Sequence, residues 1–187
     1  MLGGLEIKRL IESGEIGIEP FNEAQLNPNS YNCRLSRKLL MYELKPQRYI
    51  DGHGSRSVFL GLDMFEEPVV SERTIWDDGI WLMPNTLYLG CTQEVIRSGN
   101  YIPTIETRSS LARLGLSCHL SAGFGDVGFH GSFTLEITVV HPLKIYPGVQ
   151  ICQVAFQRPE GAFQPYQGKY QGQRGPVPSQ VWKEFQK

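Results

Sequence analysis

No two of the four cysteines, Cys33, Cys91, Cys118 and Cys152, stand at CxxC spacing, and the four histidines, His53, His119, His130 and His141, are equally scattered. A protein-held zinc needs clustered ligands, so no metal site made of side chains is expected. Isolated thiols in apolar surroundings read instead as buried core residues. A run of about 18 apolar residues is also missing, which argues against a membrane-spanning helix. The first 14 residues are charged and lack the apolar core of a signal peptide, so a cytoplasmic chain is expected. The formal net charge is −1, too small to imply a nucleic-acid partner. Any phosphate-binding site must therefore be local.

What is present suits one domain over 1–187: 41% of residues are hydrophobic and 20% charged, enough to bury a single core. Ile7, Leu10 and Ile11 share one helical face, and Gly14 can end that helix, which predicts a short helix over 4–13. Pro20 turns the chain, and Leu26-Asn27-Pro28-Asn29-Ser30 is dense in turn formers. The stretch 51–57 reads as a surface loop. From Val69 onward, short strands alternate with turn signals. A Pro84-Asn85 turn separates strands over 80–83 and 86–89. Pro147-Gly148 suits a type II turn ahead of a buried strand over 149–156. This spacing predicts a mainly β fold, a sandwich or jelly-roll-like barrel.

The clearest strand spans 132–139. Phe133, Leu135, Ile137 and Val139 are apolar, and Ser132, Thr134, Glu136 and Thr138 are polar. Period-2 alternation places Glu136 beside Thr134 and Thr138, opposite the core face.

Three segments can carry chemistry. In Arg108-Ser109-Ser110-Leu111-Ala112-Arg113-Leu114-Gly115, Ser109 suits a helix N-cap and Gly115 a C′ position. Arg113, four residues after Ser109, can share its face. Two arginines and two hydroxyls at a helix start offer a triphosphate cradle, though a capped surface helix has the same pattern. In 123–131, four glycines imply a tight hairpin that a ligand can approach closely. There Asp126 can accept from a sugar hydroxyl, and Phe129 can pack against a deoxyribose. The tail, 168–187, is rich in Gly, Gln and Pro and carries Lys169, Arg174, Lys183 and Lys187 against Glu184. It reads either as a frayed terminus or as a mobile flap over a phosphate-bearing ligand.

Together these segments resemble the dCTP deaminase and trimeric dUTPase superfamily. The helix 108–113 is similar to its phosphate-binding motif, and 123–131 to its deoxyribose-binding hairpin. Thr134-Leu135-Glu136 matches the deaminase branch. Asn27-Pro28-Asn29-Ser30-Tyr31, Tyr146-Pro147-Gly148 and Lys169-Tyr170-Gln171-Gly172-Gln173 are further landmarks of that branch. The resemblance implies a distorted, dUTPase-like jelly roll with a flexible C-terminal flap. It also implies a homotrimer with sites between subunits, and dCTP bound with Mg²⁺, with dUTP and dTTP as further ligands. It makes Glu136, Ser109 and Arg113 catalytic. Substrate contacts extend to Arg108, Ser110, Leu111, Ala112, Asp126, Thr134 and Leu135, while Gln153, Tyr166, Lys169 and Gln173 complete the phosphate enclosure. Thr107, Gly125 and Val127 depart from the usual residues, and the loop Val140-His141-Pro142 looks short.

The implied chemistry is hydrolytic deamination. Many nucleobase deaminases use zinc, held by H-x-E and P-C-x-x-C segments that do not occur here. A glutamate general base is the alternative, with Ser109 and Arg113 holding the water and stabilising developing charge. The leading expectation is a dCTP deaminase that releases dUTP and ammonia for thymidylate synthesis. The second is a bifunctional enzyme that continues to dUMP and pyrophosphate, which Gly123 after Ala122 resembles. A third is a non-catalytic nucleotide-binding regulator, against which the intact Glu136, Ser109 and Arg113 argue.

Overall fold

The computed structural model describes residues 1–50, 52–54 and 56–186. Asp51, Ser55 and Lys187, which fall within the expected loop and tail, lie outside the described residues. The order begins with α1 (Gly4–Glu12), β1 (Gly17–Glu19), β2 (Tyr31–Arg34), β3 (Lys38–Tyr42), β4 (Lys45–Ile50), β5 (Arg56–Gly61), β6 (Val70–Thr74) and β7 (Ile80–Leu82). It continues with β8 (Tyr88–Arg97), β9 (Ile102–Thr107), α2 (Ser109–Ala112), β10 (Leu116–Ser117), β11 (His130–Val139), β12 (Leu143–Ile145) and β13 (Gln150–Gln157). One sheet runs β10-β11-β8-β3-β6, with β1 also on β8; a second runs β2-β13-β9. Leu35, Leu39, Leu135, Ile137, Ile151 and Phe156 fill the core as in a jelly roll.

The N-terminal helix forms as the spacing predicts. Ile7 and Leu10 are fully buried, each worth about 1.5–3 kcal/mol of hydrophobic burial. Gly14 has φ +74°, and the Gly14 and Glu15 N–H groups return to Ile11 and Leu10 carbonyls, closing a Schellman motif. The helix start nests on the Asn27 turn, where a Cβ at Gly4 would lie 2.1 Å from the Asn27 carbonyl oxygen. All four cysteines are buried and free.

Three local expectations need correction. The expected loop 51–57 runs too far, because Arg56 and Ser57 already belong to β5, which pairs with β4 as a hairpin. Its apolar residues do not alternate, and Tyr49, Val58, Phe59 and Leu60 are all exposed, so the period-2 signal is missing. Ser109 is not the N-cap. Arg108, with extended φ −63° and ψ 132°, takes that position and makes no side-chain cap. Finally, β11 is not continuously alternating. The pairing shifts between Ser132 and Thr134, where β8 runs from Val95 to Cys91 against two residues of β11, a bulge on β8; Ser132 is buried there and Phe133 only partly so.

Candidate active site

The bulge builds one side of a cleft of about 510 Å³. Phe133 joins Thr134 and Glu136 in its lining, beside Leu89 of β8 and Tyr42 of β3. Phe133 and Phe129 pack with ring centroids 4.7 Å apart, and Phe129 lies 6.2 Å from Tyr166. The segment before β11 forms the opposite side with Leu120, Phe124 and Asp126. Its glycines are required by space. A Cβ at Gly123 would meet the Ile105 carbonyl oxygen at 2.6 Å, and one at Gly125 the Pro103 oxygen at 2.9 Å. The hairpin therefore lies directly on β9.

Glu136 is half-buried, and its Oε2 accepts the Leu120 N–H at 3.2 Å. Tyr42 sits near this carboxylate. Burial raises its phenol above the ordinary range, the Ser179 N–H offsets this in part, and Tyr170 and Glu136 add to the rise. The cleft thus presents a carboxylate next to a neutral phenol, between aromatic walls.

The C-terminal segment closes the cleft. Gly172 N–H donates to the His130 carbonyl, and Ser132 N–H donates to the Gln173 carbonyl. Val177 N–H reaches Thr134 Oγ1 at 3.1 Å, Ser179 N–H reaches the Tyr42 hydroxyl at 2.9 Å, and Gln180 N–H reaches the Tyr170 hydroxyl at 3.0 Å. Gln173 Nε2 donates to the Ser132 carbonyl at 2.6 Å, which leaves its buried Oε1 without a partner among the described residues.

Of the residues singled out in the sequence, Asp126, Thr134, Glu136, Tyr166 and Gln173 line this cleft. Leu135 points into the core at 1% exposure, so only its main chain is available to a ligand. Lys169 is engaged by Glu184, which raises its ammonium pKa. Arg108, Ser109, Ser110, Leu111, Ala112, Arg113 and Gln153 do not line the cleft. Arg108 and Gln153 lie at β13 instead, and α2 packs beside β10. Arg108 Nη1 donates to the Gln150 carbonyl at 3.0 Å, Gln153 pairs with Glu106 of β9, and Ser109, Ser110 and Arg113 are exposed. Thr107, one of the departures, pins the neighbouring chain, since its Oγ1 accepts the Cys118 N–H at 2.8 Å. Tyr42 and Leu120 of the cleft carry no signal in the sequence, whereas Phe124 and Tyr170 fall inside the 123–131 and 169–173 motifs.

Among the described residues no group of three or more His, Cys, Asp or Glu is placed to hold a metal ion. No described helix is long and apolar enough to cross a membrane.

A β-rich domain with a carboxylate cleft, a glycine hairpin and an arginine-flanked helical turn has the parts of a nucleotide-handling fold. The family model described as dCTP deaminase-like matches residues 1–159, and the chain belongs to that family. A protein of Cytophaga hutchinsonii named "dCTP deaminase, dUMP-forming" is 45% identical over 188 residues, covering 100% of this chain and 99% of the relative. One of the same name from Hathewaya histolytica is 44% identical over 187 residues, covering 100% of this chain and 99% of the relative. A solved 2′-deoxycytidine 5′-triphosphate deaminase from Agrobacterium tumefaciens shares the fold, with a TM-score of 0.57, 19% identity and 83% of this chain covered. This chain spans 46% of the length of that one. The relatives' names overturn the leading expectation of dUTP as the end product, because they specify dUMP.

Proposed function

We propose that this chain is a dCTP deaminase that carries its product on to dUMP, releasing ammonia and pyrophosphate. The observation that supports it is the place of Glu136: half-buried in the lining of the cleft, with one carboxylate oxygen on Leu120 N–H. The full-length likeness to dUMP-forming relatives supplies the product.

In this reading the deoxyribose packs against Phe129, and the edge of the pyrimidine meets Thr134, the main chain of Leu135 and Glu136. Asp126 takes a sugar hydroxyl. Water attacks C4 while Glu136 accepts its first proton and passes it to N3; Glu136 then takes the second proton from the C4 hydroxyl and delivers it to the leaving amine. The C4–N bond breaks and ammonia leaves. A second water then cleaves between the α- and β-phosphates, yielding dUMP and pyrophosphate. Mg²⁺ enters with the substrate, held by its phosphates.

The separation of the 108–113 helical turn from the cleft supports a shared site. A neighbouring chain in a homotrimer brings Ser109 and Arg113 to the water and Arg108 to the phosphates. Incubation with dCTP and Mg²⁺, with chromatographic separation of dUTP from dUMP, tests the reading. The expected products are dUMP, ammonia and pyrophosphate in equal amounts. Accumulation of dUTP with no dUMP overturns the second step, and absence of ammonia overturns the first.

A further inference from the structure

The motif Asn27-Pro28-Asn29-Ser30-Tyr31 has no part in the cleft, yet one of its side chains, Ser30, reaches a residue of the proposed phosphate enclosure. Asn27 Nδ2 donates to Ser30 Oγ at 3.2 Å and to Asn32 Oδ1 at 2.8 Å. Ser30 Oγ in turn donates to Gln153 Oε1 at 3.0 Å. The Ser30 hydroxyl thus accepts from Asn27 and gives its one proton to the oxygen of the Gln153 amide, which leaves the Gln153 Nε2 as the outward group. Ser30 is 5% exposed and Asn32 6%, so water cannot readily replace either partner. A branch of the same network runs from Asn32 Nδ2 to Gln150 Oε1 at 3.0 Å, and the Gln150 carbonyl accepts from Arg108.

We propose that Ser30, oriented by Asn27, is a positioning residue that fixes the sense of the Gln153 amide so that Nε2 donates to the substrate's phosphates. Among the described residues Nε2 has no hydrogen-bond acceptor in the protein. A flipped amide would present its oxygen to the phosphates and be repelled. The inference rests on the proposed function and, for the phosphate contact of Gln153, on the family resemblance. The relay explains why a turn distant in sequence from the chemistry is built of hydrogen-bonding side chains: it turns an ambiguous amide into a directed donor.

The test is a double-mutant cycle on Ser30→Ala and Gln153→Ala, with kcat and KM measured separately for dCTP with Mg²⁺ and folding checked by thermal melting. Ser30→Ala should raise KM about 5- to 10-fold, the worth of one hydrogen bond, with kcat within about twofold. The double variant should be no worse than Gln153→Ala alone. A wild-type KM in Ser30→Ala, a KM effect that multiplies in the double variant, or a loss confined to kcat overturns the relay. Where Ser30→Ala does not fold, Gln153→Glu decides, since it keeps an acceptor for Ser30 and removes the donor; an unchanged KM there overturns the proposal. Calorimetric titration with inorganic tripolyphosphate and Mg²⁺ separates this inference from the functional reading. Wild-type protein inert toward dCTP sinks that reading, whereas tripolyphosphate binding weakened by Ser30→Ala still supports the relay, and binding unweakened refutes it.

Discussion

Glu136 and Leu120 are joined across the cleft by a 3.2 Å hydrogen bond from main-chain N–H to carboxylate. The bond ties the proposed base to the segment leading into the glycine hairpin, so a change at Glu136 risks moving the hairpin too. Glu136→Gln avoids that, because its amide oxygen can still accept from Leu120. Ammonia release should fall by at least about 100-fold, in the range of general-base losses, while dCTP binding by calorimetry stays within a few-fold. Near-normal turnover would remove Glu136 from the mechanism.

A site assembled from two chains makes a complementation prediction. Glu136→Gln and Arg113→Ala proteins should each be inactive alone. Co-expressed and mixed in symmetric trimers, about one quarter of the sites should combine an intact Glu136 with an intact neighbouring Arg113. Activity should return to that fraction of wild type. Mixtures that remain inactive, or light scattering that shows an active monomer, contradict the shared site.

Removing 168–187 should harm catalysis more than folding. Within it Pro176 is buried, but most of the described residues are exposed or half-exposed, so little of the core is lost. The truncated protein should keep a melting temperature within a few degrees of the parent's, with kcat/KM down by at least about 100-fold as the closure of the cleft is lost. Full kcat/KM in the truncated enzyme would refute the role of the segment.

Alkaline stability should report Tyr31. Burial, only partly offset by the Asn22 N–H, pushes its phenol up to about 12. A group whose folded pKa is raised contributes stability that is intact below its ordinary value near 10. That contribution is lost as pH climbs toward the folded value, by at most about 1.4 kcal/mol per pH unit. Denaturation of Tyr31→Phe should show a shallower fall between pH 10 and 12 than wild type, and identical slopes would refute it.

How much the sequence disclosed depended on the range of the signal. Helix α1 and the strand β13 were legible because their periodicity and end signals are local. Of the residues that the ordered motifs point to, Asp126, Thr134, Glu136, Tyr166 and Gln173 come together in one cleft. The register shift at Ser132 was not legible, because a bulge arises from pairing with β8 and leaves no mark on the alternation, so Phe133 reads as core. The cap at Arg108 escaped because its extended backbone, rather than its side chain, ends the strand. Tyr42 and Tyr170 reach the cleft through contacts made over long separations. The division of the expected site, with Glu136 in the cleft and Arg113 outside it, is likewise a property of topology. The expected product failed for a different reason. The groups read for deamination occur whether the reaction ends at dUTP or continues, and only the dUMP-forming relatives separated the two.

The C-terminal segment docks through both main-chain and side-chain atoms: the carbonyl of Gln173 and the N–H groups of Gly172, Val177 and Ser179, and the side chains of Gln171 and Gln173. The main-chain anchors are indifferent to side-chain identity, provided no proline removes a donor. Seating and selectivity are therefore separable at Val177 and Ser179, which line the cleft yet dock through their N–H groups. Their side chains can be varied to retune which ligand is enclosed without unlearning how to close, which makes those two positions a natural place to engineer altered nucleotide preference.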